Sequence, residues 1–356
     1  MNQNPSSQWD HPNKSRSRFT WQTLLKFVVP PIITVGLCWI LFTGVNLKEM
    51  WTIMTTQCNF FYIALALLIS ILSHVIRGMR WQLQLKALGI HPPLFITILS
   101  IFGMYAVNFV FPRLGEIWRT GYIAERQKAS FTEVFGSMIC DRLADIIIMV
   151  FIITATFFLA RTQIVEYLSQ DTPMYEQLIA ILSSPWMWLV ALLILIGVAV
   201  FFRLFPRSKP VMIAKNLLKG VWEGFIVIVR MKGKLKWAIL SILIWTAYYF
   251  ELYLGFLAFP VTAEVVTKFG FTAVLLCFVL SSIAMAVPSN GGIGPYQWAL
   301  VFGLNMYSLE IPALTINYTT SFANTILGSN TLMLIVIGIF TFIYIAIDKR
   351  RKPIKT

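Results

Sequence analysis

The chain has 356 residues, of which 58% are hydrophobic and 12% charged, and its mean hydropathy is +0.74. A soluble core cannot absorb that much apolar surface, and apolar runs of about 20 residues recur, so the composition excludes a soluble globular protein and gives an all-α, polytopic helical membrane protein. The net charge of +14 does not make it a nucleic-acid binder: most lysines and arginines cluster beside apolar segments, where inside-positive topology and anionic headgroups account for them, and no nucleic-acid reader motif is present.

Residues 1–22 form a polar tail, expected in the cytoplasm because Lys14, Arg16, Arg18 and Lys26 flank the start of the first apolar run, Leu24 to Phe42. That run lacks a small-residue cleavage site and reads as an uncleaved span, kinked or started late by Pro30-Pro31. A second span, Phe60 to Ile76, ends inside at Arg77, Arg80, Trp81 and Lys86. Arg77 and Arg80 share a helical face beside Trp81, either as an interfacial anchor or as a contact for a lipid phosphate. The third run, Leu94 to Phe111, carries positive charge at both ends, which argues against a full crossing. It reads as a re-entrant segment that enters from the cytoplasm, breaks at Pro112 and returns through Gly115 to Ala124. The fourth span, Phe135 to Leu159, crosses outward to a loop bearing Glu166, Asp171 and Glu176, and the fifth, Trp186 to Phe202, returns.

A basic cytoplasmic linker follows over 203–236, in which Val211 to Val229 has the pattern of an amphipathic helix lying on an anionic leaflet. The sixth span is Trp237 to Phe259; the seventh run, Phe271 to Val287, enters from outside, breaks, and returns through Tyr296 to Leu304. The last span, Phe322 to Ile347, precedes a basic tail, 349–356, on the inner side. The sum is one transmembrane domain over 23–348, with halves at about 60–205 and 236–347. It has eight apolar segments: six full spans and two re-entrant broken helices. Hydropathy also allows both limbs of each break to be full spans.

The two breaks correspond. Pro288-Ser-Asn290-Gly291-Gly292-Ile-Gly294-Pro295 packs two prolines and three glycines into eight residues, and no helix runs through that. In the first half, Asn108 and Pro112 precede Arg113, Gly115, Glu116 and Arg119, and Pro112 and Gly115 match Pro288 and Gly291 about half a chain apart. Paired proline and glycine interruptions of this kind point to an internal repeat that builds a transporter site. With the topology above, the two units are inverted copies.

Ionisable groups at membrane depth are the candidate binding residues. Arg113, Glu116 and Arg119 are spaced three apart, so they can share a face and pair in sequence, with a bound phosphate competing for the arginines, or they are plain loop charges. Asp141-Arg142-Leu-Ala-Asp145 lies in an apolar span, where Arg142 can pair with Asp145 or with Glu116. Glu251 is the only charge between Lys236 and Glu264; it could titrate, couple an ion, or pair with Arg142 or Arg119. The uncharged second break offers backbone N–H groups, Ser289 and Asn290, and a helix restarting at Pro295 whose N-terminus would favour an anionic headgroup. Cys38, Cys58, Cys140 and Cys277 have no metal spacing and His11, His74 and His91 are dispersed, so no metal and no cofactor is expected. Nucleophile-elbow, zinc-protease and P-loop motifs are absent.

Taken in order, Arg77-x-x-Arg80-Trp81, Asn108-x-x-x-Pro112-x-x-Gly115-Glu116-x-x-Arg119, Asp141-Arg142-x-x-Asp145 and Pro288-x-x-Gly291-Gly292-Ile293-Gly294-Pro295 resemble the flippase-like transmembrane region of lysylphosphatidylglycerol synthases, over about Leu24 to Ile347. The resemblance implies movement of a lipid between leaflets. In fused relatives a separate soluble domain makes aminoacylated phosphatidylglycerol; no such domain is read in this sequence, so aminoacyl transfer is not expected. Tyr296-Gln297 stands where many relatives are expected to be acidic, which weakens any acid-dependent role there.

The expected function is therefore a bacterial inner-membrane lipid translocator acting on a phospholipid or glycolipid with an anionic or modified headgroup. The main alternative is an accessory subunit for a lipid-modifying enzyme; a phosphatidylglycerol lysyltransferase-type enzyme in its own right ranks last. On this reading Arg119 and Gly292 are the positions whose replacement should abolish activity without unfolding the chain.

Overall fold

Helix boundaries follow the local chemistry of the chain. Asn46 and Asn59 each accept backbone N–H bonds at a helix start, and Pro185, Pro260 and Pro295 sit in first turns, where a missing N–H costs nothing. The computed structural model describes residues 46–111, 113–170, 184–206, 231, 233–287 and 289–351, with Trp39, Ala180, Ser208, Val211 and Met212 in isolation. Within these the secondary structure is helical: α1 (Leu47–Thr56), α2 (Phe60–Ala87), α3 (Leu94–Val110), α4 (Gly115–Gln127), α5 (Phe131–Leu159), α6 (Arg161–Gln170), α7 (Pro185–Leu204), α8 (Lys234–Leu257), α9 (Pro260–Phe269), α10 (Phe271–Ala284), α11 (Pro295–Asn305) and α12 (Ile316–Arg351). The expected first span falls almost wholly outside the described residues, as do nearly all of the amphipathic stretch Val211 to Val229 and both Pro112 and Pro288.

By length and composition α2, α5, α8 and α12 can each cross a membrane, which makes the chain a polytopic helical membrane protein. Their outward faces are apolar: Phe151 and Phe158 on α5 are both 72% exposed. Two findings depart from the sequence reading. The second span does not end at Ile76; α2 runs on to Ala87, because Arg77 and Arg80 are buried in the bundle and not held at an interface. A further bend of 114° separates α9 from α10 at Gly270, where φ is +70°. The region 260–270, read only as a connection, is thus a helix leading into the seventh apolar run.

The interior has two main apolar clusters. One, around Trp81, Leu85, Ile101, Ile123 and Val134, joins α2, α3, α4 and α5. The larger, around Phe256, Phe259, Cys277, Leu300 and Phe322, joins α8 to α12. The long contact of α2 along α8 ties the two together. Gly78 lets α2 approach α3: a Cβ there would stand 2.8 Å from Ile98 Cγ1 and 3.3 Å from Ile98 Cα. Gly78→Leu therefore costs about 1–3 kcal/mol by overpacking, read as a lower melting temperature in detergent. Gly136, which has nothing within 4 Å of a Cβ, supplies the control, with Gly136→Ala gaining about 0.5–1 kcal/mol.

Candidate functional site

Each break is held open by a side-chain amide. In the first, α3 ends at Val110 and α4 begins at Gly115, and the Asn108 Oδ1 accepts the Gly115 N–H at 2.8 Å. Asn108 Nδ2 also donates to Glu116 Oε2 at 3.4 Å. Residue 115 must be glycine, since a Cβ would sit 2.1 Å from the Met104 backbone carbonyl oxygen and 2.7 Å from that same Asn108 oxygen. In the second break Gly291, Gly292 and Gly294 have φ of +63°, +84° and +92°, conformations that other residues rarely adopt. Gln297 Oε1 accepts the Gly294 N–H at 2.7 Å, and its Nε2 donates to Asn324 Oδ1 of α12 at 2.5 Å. The neutral Gln297 is thus the cap of α11 and its tie to α12. Of the donors expected to favour an anion at that helix start, the N–H groups of Gly294, Tyr296 and Trp298 are bonded within the protein, and Pro295 has none.

The breaks meet each other. Arg113, itself at φ +64°, donates from Nη2 to the Ala286 carbonyl at 2.6 Å, and a side chain on Gly291 would run into the Phe109 ring. Arg113 lies before the first residue of α4, so it does not share a face with Glu116 and Arg119 as the spacing suggested.

Behind the first break lies a buried ion-pair cluster. Arg77 Nη1 reaches Asp145 Oδ2 at 2.8 Å, Arg80 Nη2 reaches Asp141 Oδ1 at 2.6 Å, and Arg80 Nη1 reaches Asp145 Oδ1 at 2.8 Å. Arg80 and Asp141 are fully buried. Neither sequence reading of the arginine pair, interfacial anchor or phosphate contact, fits this geometry. The reason is that α5 supplies two carboxylates one helical turn apart, facing guanidinium groups with the matching spacing on α2.

Arg119 is fully buried too, stacked 4.1 Å over Trp81, with Asp141 Oδ2 its nearest carboxylate oxygen at 3.8 Å and no hydrogen-bond partner among the described residues. Glu116 pairs instead with Arg142, at 2.5 Å. Glu251 meets neither Arg142 nor Arg119; Asn330 Nδ2 donates to its Oε1.

A cavity of about 820 Å³ lies between these groups. It brings together Arg77, Asn108, Arg113, Glu116, Arg142, Asp145, Glu251, Gly291 and Gly292 among the predicted residues. Arg80, Gly115, Arg119, Asp141, Asn290, Gly294 and Pro295 stand behind or beside its wall. Arg119, buried off the wall, is therefore no clean probe of activity. Sequence reasoning missed Ser70, His74, Tyr105, Tyr248 and Asn330, all on the wall. Ser70, His74 and Arg77 recur at i, i+4 and i+7 on α2, a polar stripe that was available as a signal.

The family described as Lysylphosphatidylglycerol synthase TM region matches residues 27–329. The chain belongs to this family. No curated protein and no solved structure gives a significant match. The two breaks, the cluster and the cavity all fall within the residues that define this transmembrane region, except that Asn330 and the end of α12 lie just past them.

The cluster and the wall of this lysylphosphatidylglycerol synthase transmembrane region should separate on mutation. Arg80→Ala strands buried carboxylates and lowers stability by about 3–5 kcal/mol, seen as a depressed melting temperature in detergent. Arg142→Ala, at a side chain 39% exposed, costs about 1 kcal/mol or less by the same measurement.

Proposed function

We propose that this protein is an integral membrane lipid translocator, flippase-like in action, moving a phospholipid or glycolipid with an anionic or modified headgroup between leaflets. The observation that carries the reading is the cavity between the two breaks, because its wall is amphipathic in the way a lipid is. One part is apolar and aromatic, with Phe109, Trp245, Phe278, Leu327 and Leu334. Another part offers guanidinium groups: Arg142, shared with Glu116, and Arg113, which has no carboxylate partner among the described residues. A phosphate can accept from both arginines while Glu116 and Asn108 keep Arg142 oriented.

In this reading the helix-break-helix pairs α3–α4 and α10–α11 are re-entrant and related as inverted repeats, and alternating access proceeds by opening one side of the cavity and then the other. The membrane is the bacterial cytoplasmic membrane, with both termini inside, and the chain performs no aminoacyl transfer of its own. Family membership supports a membrane-embedded role beside lipid chemistry.

The test is leaflet exchange. Purified protein in liposomes with labelled phosphatidylglycerol, its lysyl form or a native lipid extract should deplete outer-leaflet label faster than protein-free liposomes. Arg142→Ala removes a charge-assisted contact worth about 1.5–3 kcal/mol and should slow exchange about tenfold to a hundredfold while its melting temperature holds. Folded protein that exchanges none of these lipids sinks the proposal and favours an accessory subunit for a lipid-modifying enzyme, to be sought by pull-down.

A further inference from the structure

The cavity contains one acid that the ion pairs do not use. Asp145 and Glu116 are each matched by arginine at 2.8 and 2.5 Å. Glu251, in the C-terminal half of the span α8, has no ion-pair partner among the described residues, and the groups that hold it are neutral. Asn330 of α12 donates to it, and the Ser70 hydroxyl of α2 lies against the Asn330 Oδ1 at 3.4 Å. A bare carboxylate so placed, half-buried in the cavity wall, has no ion-pair counter-charge among the described residues, and binding a proton removes the cost of holding its charge at membrane depth.

The charged and titratable groups that share this cavity come from every side. α2 contributes His74 and Arg77, and α5 contributes Arg142 and Asp145. Arg113 and Glu116 belong to the first break. The remaining titratable groups are phenols, Tyr105 on α3, Tyr248 on α8 and Tyr296 on α11. None of the cations among them pairs with Glu251: Arg77 is held by Asp145, Arg142 by Glu116 and Arg113 by the Ala286 carbonyl.

His74 lies one turn from Ser70 and one turn from Arg77 on the same face of α2. It is 4% exposed, and neither ring nitrogen has a hydrogen-bond partner among the described residues. Its neighbours are the rings of Tyr105 at 4.5 Å, Phe102 at 5.5 Å and Tyr248 at 6.3 Å. The α2 stripe thus runs from the neutral Ser70–Asn330–Glu251 group, past an unpartnered imidazole, to the ion-pair cluster.

We infer that Glu251 is a proton-binding site of the cavity, and that lipid movement through the cavity is coupled to proton movement by its loading and unloading. The coupling half of this rests on the translocator reading; the proton site itself does not. A proton taken up from water on one side neutralises Glu251, and its release on the other side restores the carboxylate. No other co-reactant is needed.

Two measurements on the full chain reconstituted in phosphatidylglycerol-containing liposomes test it. Infrared spectra at about pH 5 and about pH 9 should contain a neutral-carboxylic-acid band that changes with pH and is missing in Glu251→Gln. Glu251→Asp should restore a band of this kind. Wild-type and Glu251→Gln spectra that superimpose, or a Glu251 band that ignores pH, overturn the proton site. In the second measurement, a transmembrane gradient of about one pH unit should drive labelled lipid to as much as about tenfold asymmetry in wild type. The asymmetry should collapse with a protonophore and be absent in Glu251→Gln.

Exchange that is indifferent to the gradient overturns the coupling and leaves the translocator reading standing. Absence of exchange under every condition overturns the translocator reading and the coupling with it, while the infrared band still decides the proton site. Should Glu251→Gln lose its cooperative melt, the wild-type gradient and protonophore responses decide the coupling, and Glu251→Asp, through the shift of its band from the wild-type position, decides the assignment.

Discussion

The structure depends on the four-charge cluster that joins α2 to α5. Removing Arg77, Arg80, Asp141 and Asp145 from water is costly for each alone, and only their mutual geometry, with contacts of 2.6–2.8 Å, offsets that cost. Once made, the cluster fixes the rotation of both helices, because arginines one turn apart must meet aspartates one turn apart. That rotation aims Arg142 away from the cluster and toward Glu116, and carries the polar stripe of α2 to the cavity wall. Trp81, bonded to Ser137 of α5 and stacked under Arg119 of α4, extends the same constraint to the first break.

The two breaks solve the problem of exposed backbone with one device. A side-chain amide, Asn108 in one and Gln297 in the other, accepts from the N–H at or just before the start of the following helix. The amide nitrogen is committed in each case, to Glu116 across the first break or to Asn324 of α12, so the second break is positioned by a further element and not by its own sequence alone. Glycines provide the room: at 115 for the Met104 carbonyl and the Asn108 side chain, and at 291 for Phe109 of the opposite break. The cavity exists because two such interruptions face one another.

Much of this was legible before any coordinates. The apolar runs located α2, α5, α8 and α12, and the proline-glycine clusters located both breaks, since those signals are local and strong. The candidate charges at the first break and in α5 were named as groups; of the two partners offered for Arg142 the structure shows Glu116, while Asp145 pairs with Arg77 and Arg80. Arg77 and Arg80 read as the end of a span, because a charge followed by tryptophan looks like an interface when the aspartates that bury it lie some sixty residues onward. Pairing of Glu251 with Arg142 or Arg119, one of the roles its sequence position left open, is not made, because pairing between distant spans is set by helix rotation, which sequence spacing along one helix does not report. Asn330 passed unnoticed and His74 was weighed only as a dispersed histidine, because a single uncharged or weakly basic residue in an apolar run carries little signal until its neighbours are known. The Gly270 bend went unread because one glycine between two helix-forming stretches is not distinctive.

The neutrality of the α2–α5 cluster has an electrical consequence. Two guanidinium groups and two carboxylates that travel together sum to no net charge, so a rigid tilt of these helices through the bilayer does no net work against the membrane voltage on their account. The voltage, at about 2.3 kcal/mol per elementary charge per 100 mV, acts on what is not cancelled, among the described residues Arg113, Arg119 and an ionised Glu251. A protein built this way carries its own heaviest electrostatic load as ballast that the field cannot feel.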